Sequence, residues 1–248
     1  MPIVEESYIG KGVVHIKNRA SGGYRFLANV ESLTNSFDTE EKSIPNNTSA
    51  GGGKWDSLTR ITSAKAAASL YDLSAENLAL ATNGTVAAVT AGAITGESRT
   101  ATALGEIVPT VNIIDTAVAV VVTNVGATIT YVVNTHYTVS PAGITPVVGG
   151  TMVASAAFLV SYTKKAASVI EMLTASAGEY TILIDGLNEA NSGKAVRLTL
   201  HRCKPAATSE ISWIGDDFAT LPIEFEMLPD ALIVAAGVSK YAKVEIAA

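Results

Sequence analysis

Residues 180–200 read Tyr180-Thr181-Ile182-Leu183-Ile184-Asp185-Gly186-Leu187-Asn188-Glu189-Ala190-Asn191-Ser192-Gly193-Lys194-Ala195-Val196-Arg197-Leu198-Thr199-Leu200, and their pattern decides the fold class. On both sides of the polar turn at residues 188–193, side chains alternate with the two-residue period of a half-buried strand. An antiparallel hairpin is the expectation. Downstream, Trp213-Ile214, residues 223–228 and residues 241–246 are further strand candidates, the first two set around Gly215-Asp216-Asp217-Phe218. Upstream, Val13, Val14 and Ile16 precede Ser21-Gly22-Gly23, and Tyr24, Phe26, Leu27 and Val30 follow it, which predicts a second hairpin.

Between the hairpins the pattern changes. Residues 58–68 are extended, and Asp72-Leu73-Ser74-Ala75-Glu76-Asn77-Leu78-Ala79-Leu80-Ala81 predicts one short helix. Ser74 is its expected cap, Asn77 opens its apolar face, and Asn83-Gly84 closes it with left-handed geometry. Residues 35–55 show little apolar periodicity and read as a long polar loop, a length that marks functional or disordered segments. With Asp56 after them, they hold Asp38, Glu40, Glu41, Lys42, Gly51, Gly52, Gly53, Lys54 and Trp55. Residues 87–103 are small and polar and read as a flexible excursion. From 107 to 162, short strands alternate with turn signals at Asn124, Asn134, Pro141 and Gly149, as in a small β-sandwich.

The expected fold is therefore mainly β: a β-barrel or sandwich of packed antiparallel sheets with one short helix, plus a small inserted β-sandwich of immunoglobulin-like type. The main domain is expected at 1–106 and 164–248, and the insertion at 107–163.

Composition narrows the function classes. Hydrophobic residues make up 48% but aromatic ones 6%, and mean hydropathy is +0.32. Apolar runs such as residues 117–122 fall well short of the roughly 18 residues that a membrane-spanning helix needs. Met1-Pro2-Ile3-Val4-Glu5-Glu6 has two acids and no basic or apolar region of a secretory signal, so synthesis in a cytosol and no membrane association are expected. A formal charge of −6 argues against a protein that grips nucleic acid by its phosphates. The lone Cys203 makes no intrachain disulfide and reads as a half-buried strand thiol.

Signatures of catalysis are weak. His15, His136 and His201 lie far apart with no metal-ligand spacing. Gly51-Gly52-Gly53-Lys54 lacks the flanking strand and helix of a phosphate loop, and Trp55 stands where a hydroxyl residue would follow the lysine. It reads instead as a mobile loop with an aromatic tip suited to an interface. Glu224 and Glu226, two apart, share one face of a strand whose other face carries Ile223, Phe225 and Met227. No nucleophile elbow is present. The expectation is a non-enzymatic protein without catalytic residues, metal or cofactor.

The order of elements, together with particular residues, resembles bacteriophage major tail tube proteins. The resemblance is carried by Gly10-Lys11-Gly12-Val13-Val14 leading to Tyr24-Arg25-Phe26-Leu27-Ala28-Asn29-Val30, by Leu73 to Ala79 with Asn83-Gly84, and by Ile184-Asp185-Gly186-Leu187-Asn188 through Val196-Arg197-Leu198 to Asp216-Asp217-Phe218-Ala219. The run from Ile129-Thr130-Tyr131 to Val160-Ser161-Tyr162 is similar to a small β module of phage structural proteins. The resemblance implies a structural virion protein, made in the bacterial host cytoplasm and residing in the virion tail. Its partners would be itself, in stacked homo-hexameric rings, and the tape measure, tail terminator and distal tail proteins. DNA would pass through the lumen without specific binding.

The same resemblance implies an inter-ring contact loop at Asp38, Glu40, Glu41, Lys42, Gly51, Gly52, Gly53, Lys54, Trp55 and Asp56. It also implies an acidic lumen, with Glu5, Glu6, Asp185 and Glu189 as candidate lumen acids, and an insertion that faces outward. The competing reading is a β-sandwich binding module in which residues 107–162 recognise a host receptor or carbohydrate.

Overall fold

The computed structural model describes residues 7–247. Along the chain run β1 (Gly10–Asn18), β2 (Arg25–Phe26), β3 (Val30–Pro45), β4 (Lys54–Leu70), α1 (Ala75–Thr82) and β5 (Thr85–Val89). Next come β6 (Gly92–Thr100), β7 (Val108–Pro109), β8 (Val121–Asn124), β9 (Thr130–Tyr131), β10 (Tyr137–Ser140), β11 (Gly143–Pro146) and β12 (Ala157–Lys164). The chain ends with β13 (Ala167–Glu171), β14 (Tyr180–Asn188), β15 (Lys194–Pro205), β16 (Leu221–Met227) and β17 (Ala242–Ile246). The mainly β class with one short helix matches the sequence.

Two compact units result, one of Met1–Val86 with Ile170–Ala248 and one of Ala87–Val169. The inserted unit is wider than the expected 107–163. The reason is β6: its small residues pair antiparallel with β12 from Thr100↔Ala157 to Gly92↔Lys164, so the supposed flexible excursion is a strand. Small polar residues suit an edge strand, which needs little apolar burial.

In the first unit the order is β2-β1-β14-β15-β16-β4-β3, with β17 also paired to β15. Both predicted hairpins are present: β1 meets β2 at His15↔Phe26 and Ile16↔Arg25, and β14 meets β15 from Tyr180↔Cys203 to Asn188↔Lys194. The segment after β2 switches partners. Leu27 donates to the Val14 carbonyl at 2.9 Å, whereas Tyr71 donates to the Asn29 carbonyl at 3.0 Å. Ala28 between them makes the bend with φ of 66°. One extended segment thereby ties both ends of the sheet together, and the sheet curls around its own apolar face.

That face is the core. Ile16, Ile182 and Leu200 form one buried cross-strand row, and Leu221, Ile223, Phe225 and Met227 alternate inward along β16. Opposite β16, Ala64, Ala66, Ala68 and Leu70 of β4 are buried. Glu224 and Glu226 point to solvent, as their spacing predicts. Cys203 is fully buried, not half-buried, and burial pushes its thiol up to about 12.

Helix α1 packs Leu78, Leu80 and Ala81 onto this core. Asn83 ends it in the left-handed region at φ 49°, as expected, but the Ser74 side chain makes no capping bond. Asn77 is not part of an apolar face. It is a buried amide whose Oδ1 accepts from Arg25 at 2.8 Å and whose Nδ2 donates to Asp72 Oδ2 at 3.0 Å and to the Leu27 carbonyl at 3.3 Å. Residues 213–214 form no strand; Trp213 and Ile214 sit in an exposed loop.

The inserted unit is a β-sandwich of two sheets, β10-β11-β7 and β6-β12-β8-β9. Val108, Ile114, Val122, Tyr137, Ile144, Phe158, Val160 and Tyr162 fill the space between them. Tyr137 is fully buried, with its hydroxyl donating to the Val120 carbonyl at 2.7 Å.

Candidate functional site

The sequence predicts a long loop at residues 35–55, and the structure replaces it with a hairpin. Strands β3 and β4 pair over nearly their whole length, from Val30↔Leu70 to Pro45↔Lys54, and residues 46–53 make the turn. The strands hold 16 and 17 residues, so at about 3.3 Å per residue each runs for roughly 50 Å. Only the inner third of β4 touches the core. Beyond Ala64 every residue of both strands is exposed except Ser63, which is half-buried. This explains the missing periodicity: a two-stranded arm wet on both faces needs no alternation.

The arm carries the sequence-predicted contact residues. Asp38↔Ser63, Glu40↔Arg60, Glu41↔Thr59 and Lys42↔Leu58 are cross-strand pairs, and Ile44↔Asp56 lies nearer the tip. Trp55 falls at a bulge, 65% exposed, while Gly51, Gly52 and Gly53 hold positive φ in the turn. Lys54 Nζ donates to Glu41 Oε1 at 2.5 Å, which lowers the Glu41 carboxyl below its ordinary range. Phe37, Ile44, Trp55, Leu58 and Ile61 are all more than half exposed. A free monomer rarely leaves so many large apolar groups on one projecting element, and such surfaces mark contact sites.

A second feature lies in the sheet itself. Strands β1, β14, β15 and β17 stand side by side in matched levels: Gly12–Gly186–Val196–Ile246, Val13–Asp185–Arg197–Glu245, and Val14–Ile184–Leu198–Val244. Every neighbouring pair is antiparallel. Among the described residues, both outer edges of this row are open. β17 pairs only with β15, and residues 10–13 of β1 pair only with β14. The Val14 carbonyl points to the open side, where Leu27 meets it, so the backbone groups of Gly12 and Gly10, two and four residues earlier, point there too. Open edges of this kind are templates for pairing with another chain.

On the solvent face of the row, Asp185 stands in register with Arg197. Arg197 Nε donates to Glu245 Oε2 at 2.6 Å and Lys243 Nζ donates to Oε1 at 2.8 Å, contacts that hold the Glu245 carboxyl below its ordinary range, Lys243 having the larger effect. Glu189 is exposed in the turn after β14, and its amide donates to the Ile9 carbonyl at 2.8 Å. The structure thus sets Asp185 beside a cation within β14, and residues 186–188 of the same strand separate it from Glu189. Glu5 and Glu6 lie outside the described residues.

The remaining sequence candidates stay apart. No cluster of three metal-ligating side chains occurs among the described residues, and no described helix is long and apolar enough to cross a membrane. A hollow of 340 Å³ beside α1 has one guanidinium, Arg25, which is committed to Asn77 at 2.8 Å and to Glu76 at 3.7 Å. Sequence reasoning missed β17 as an open edge and the exposed apolar loops around Trp213, Ile214 and Phe218, and around Leu232 and Val234. Their signal was present as large apolar residues next to Gly215, Asp216, Asp217 and Asp230, in stretches too irregular to be core.

The chain belongs to a protein family described as a protein of unknown function, UCP028589, whose model matches residues 7–245. No curated protein matches it.

Proposed function

We propose that this chain is a structural subunit that assembles head to tail into rings, and that stacked rings build a phage tail tube through which DNA passes. The observation that carries the reading is the row β1-β14-β15-β17, which among the described residues has an open edge at each side. Three successive antiparallel pairings make β1 and β17 run in opposite directions. When copies are related by rotation about one axis, β17 of one and β1 of the next then meet antiparallel, a compatible ladder. The two edges are different surfaces, so the contact is heterologous and generates a closed ring when the rotation closes.

The projecting hairpin supports the same reading. Its reach and its exposed apolar groups suit a contact with an adjacent ring, through Asp38, Glu40, Glu41, Lys42, Lys54, Trp55 and Asp56. Six subunits per ring, an outward-facing insertion, contacts with tape measure, terminator and distal tail proteins, and residence in the virion tail complete the proposal. The protein acts by packing alone, without catalysis. Net charge of −6 per copy suits a conduit that lets phosphates slide instead of holding them.

Negative-stain electron microscopy of the concentrated, purified chain is the test. Hollow tubes or six-fold rings are expected; a population of monomers at every concentration and in the presence of a tail-tip initiator complex overturns the reading.

A further inference from the structure

A cleft of 580 Å³ opens where β1 and the base of β3 diverge, with Gly10, Gly12, Val14, Leu33, Ile184 and Leu198 among its lining. Both strands that flank it present unpaired edges among the described residues. Its floor continues the core face of the row, on which Val14 is buried. On that same face, at the far side of the row, Val244 is 57% and Ile246 61% exposed. One molecule therefore carries at one edge of its row a cleft with an apolar floor of Val14, Ile184 and Leu198 and a polar rim that includes Asn29, Glu31 and Asn35, and at the other edge two uncovered apolar side chains.

We infer that Val244 and Ile246 of one copy fill this cleft in the next copy, as the apolar key of the ring contact. The inference rests on the ring reading above and names its register. When β17 adds to the open edge of β1, side chains directly across from each other share a face, so one parity sends Val244 and Ile246 into the cleft and the other sends Lys243 and Glu245 there. The first parity covers the floor residues Val14, Ile184 and Leu198 with apolar side chains, whereas the second sets a lysine and a carboxylate over that floor and leaves Val244 and Ile246 in water, which favours the first.

Within that parity, a two-residue stagger sets Val244 across from Gly12, where β14 approaches the backbone closely, and Ile246 across from Gly10, where the Tyr8 ring lies 2.9 Å from the place a side chain would start and offers Ile246 an apolar partner. Closing strands into a ring requires a stagger. The same register places Glu245 across from Lys11 on the solvent face, adding an opposite-charge pair. Five residues of β17 and four of the open β1 edge, at about 3.3 Å each, match in length.

The test uses two full-length single variants, Ile246→Cys and Gly10→Cys, each first shown to melt like the unchanged chain. Directly opposed strand residues lie within disulfide reach, and the native Cys203 is buried and unreactive. Mixed under mild oxidation, the pair is expected to give a disulfide-linked heterodimer that neither variant gives alone. If Gly10→Cys melts lower, Lys11→Cys with Glu245→Cys tests the same register on the other face. Rings on micrographs without the heterodimer overturn the key and leave the ring reading intact. The heterodimer without rings supports the key and overturns the ring reading; neither outcome together with monomers overturns both.

Discussion

Arg19 grips Asp230 with both terminal guanidinium nitrogens, Nη1 at 2.8 Å from Oδ2 and Nη2 at 3.1 Å from Oδ1, across 211 residues of sequence. Nη1 also donates to the His201 carbonyl at 2.8 Å. Beside this pair, Arg202 holds Glu179 through Nε at 2.9 Å and Nη2 at 2.5 Å. The network ties the end of β1 and the start of β14 to the loop before β17, so the open edge of β17 is positioned by charges at its approach. Bidentate guanidinium–carboxylate pairs add geometry as well as energy.

Acid should loosen that anchor. Arg19 holds the Asp230 carboxyl below its ordinary value, and Arg202 does the same for Glu179. A carboxylate whose pKa falls on folding contributes stability that is present above its unfolded value and is lost as pH drops through the folded one. The melting temperature is therefore expected to hold from neutral pH down to the ordinary carboxylate range near 4 and to fall below it. Asp230→Asn should lower the melting temperature at pH 7 and flatten the acid limb between pH 4 and 2. An unchanged slope in the variant contradicts the assignment.

Ala28 at φ 66° holds the bend where the chain passes from β1 to β4. A left-handed conformation costs an L-residue about 1–2 kcal/mol, part of which glycine's greater unfolded freedom cancels. Ala28→Gly is expected to stabilise the first unit by about 0.5–1 kcal/mol in urea titration, and Ala28→Val to destabilise it. Equal or opposite shifts would mean that the bend is set elsewhere.

Two phenylalanines separate packing from assembly. Phe225 is 1% exposed at the centre of the core and Phe218 is 92% exposed in the loop before β16. Phe225→Ala should cost about 3–5 kcal/mol of stability. Phe218→Ala should leave the melting temperature within 2 °C, roughly what a surface change of up to 0.5 kcal/mol allows, while reducing ring yield. A Phe218→Ala protein that assembles at the unchanged yield removes this loop from the interface.

How much of this was legible in the sequence depends on where each residue's environment is set. Strands β14, β15 and β16 bury one face and so write a period of two: Leu221, Ile223, Phe225 and Met227 announce themselves. The arm buries neither face, so Phe37, Ile44 and Leu58 stand among Asp38, Glu40 and Lys42 with no period to read. Strand β6 is hidden for a related reason, since Gly92, Ala93 and Ser98 pair through backbone and not through side chains. The open edges are a property of the sheet's partners. Nothing in Lys243-Val244-Glu245 states that, among the described residues, β15 is the only strand beside it.

The hairpin arm supplies the last prediction. Beyond Ala64 the arm adds no residue to the core, and its turn is held locally: Asn46 donates its amide to the Gly53 carbonyl at 2.8 Å, and Thr48 donates to Asn46 Oδ1 at 2.9 Å. Removing residues 48–54 and rejoining the strands through a two-residue Asn-Gly turn should therefore leave the melting temperature of the first unit unchanged, because no buried contact is lost. If rings form through the edges of β1 and β17 while the arm joins one ring to the next, the shortened protein should give single rings and no tubes. Micrographs decide between the two roles. Long tubes from the shortened chain would remove the tip from the inter-ring contact, and loss of rings as well as tubes would place the arm in the ring itself.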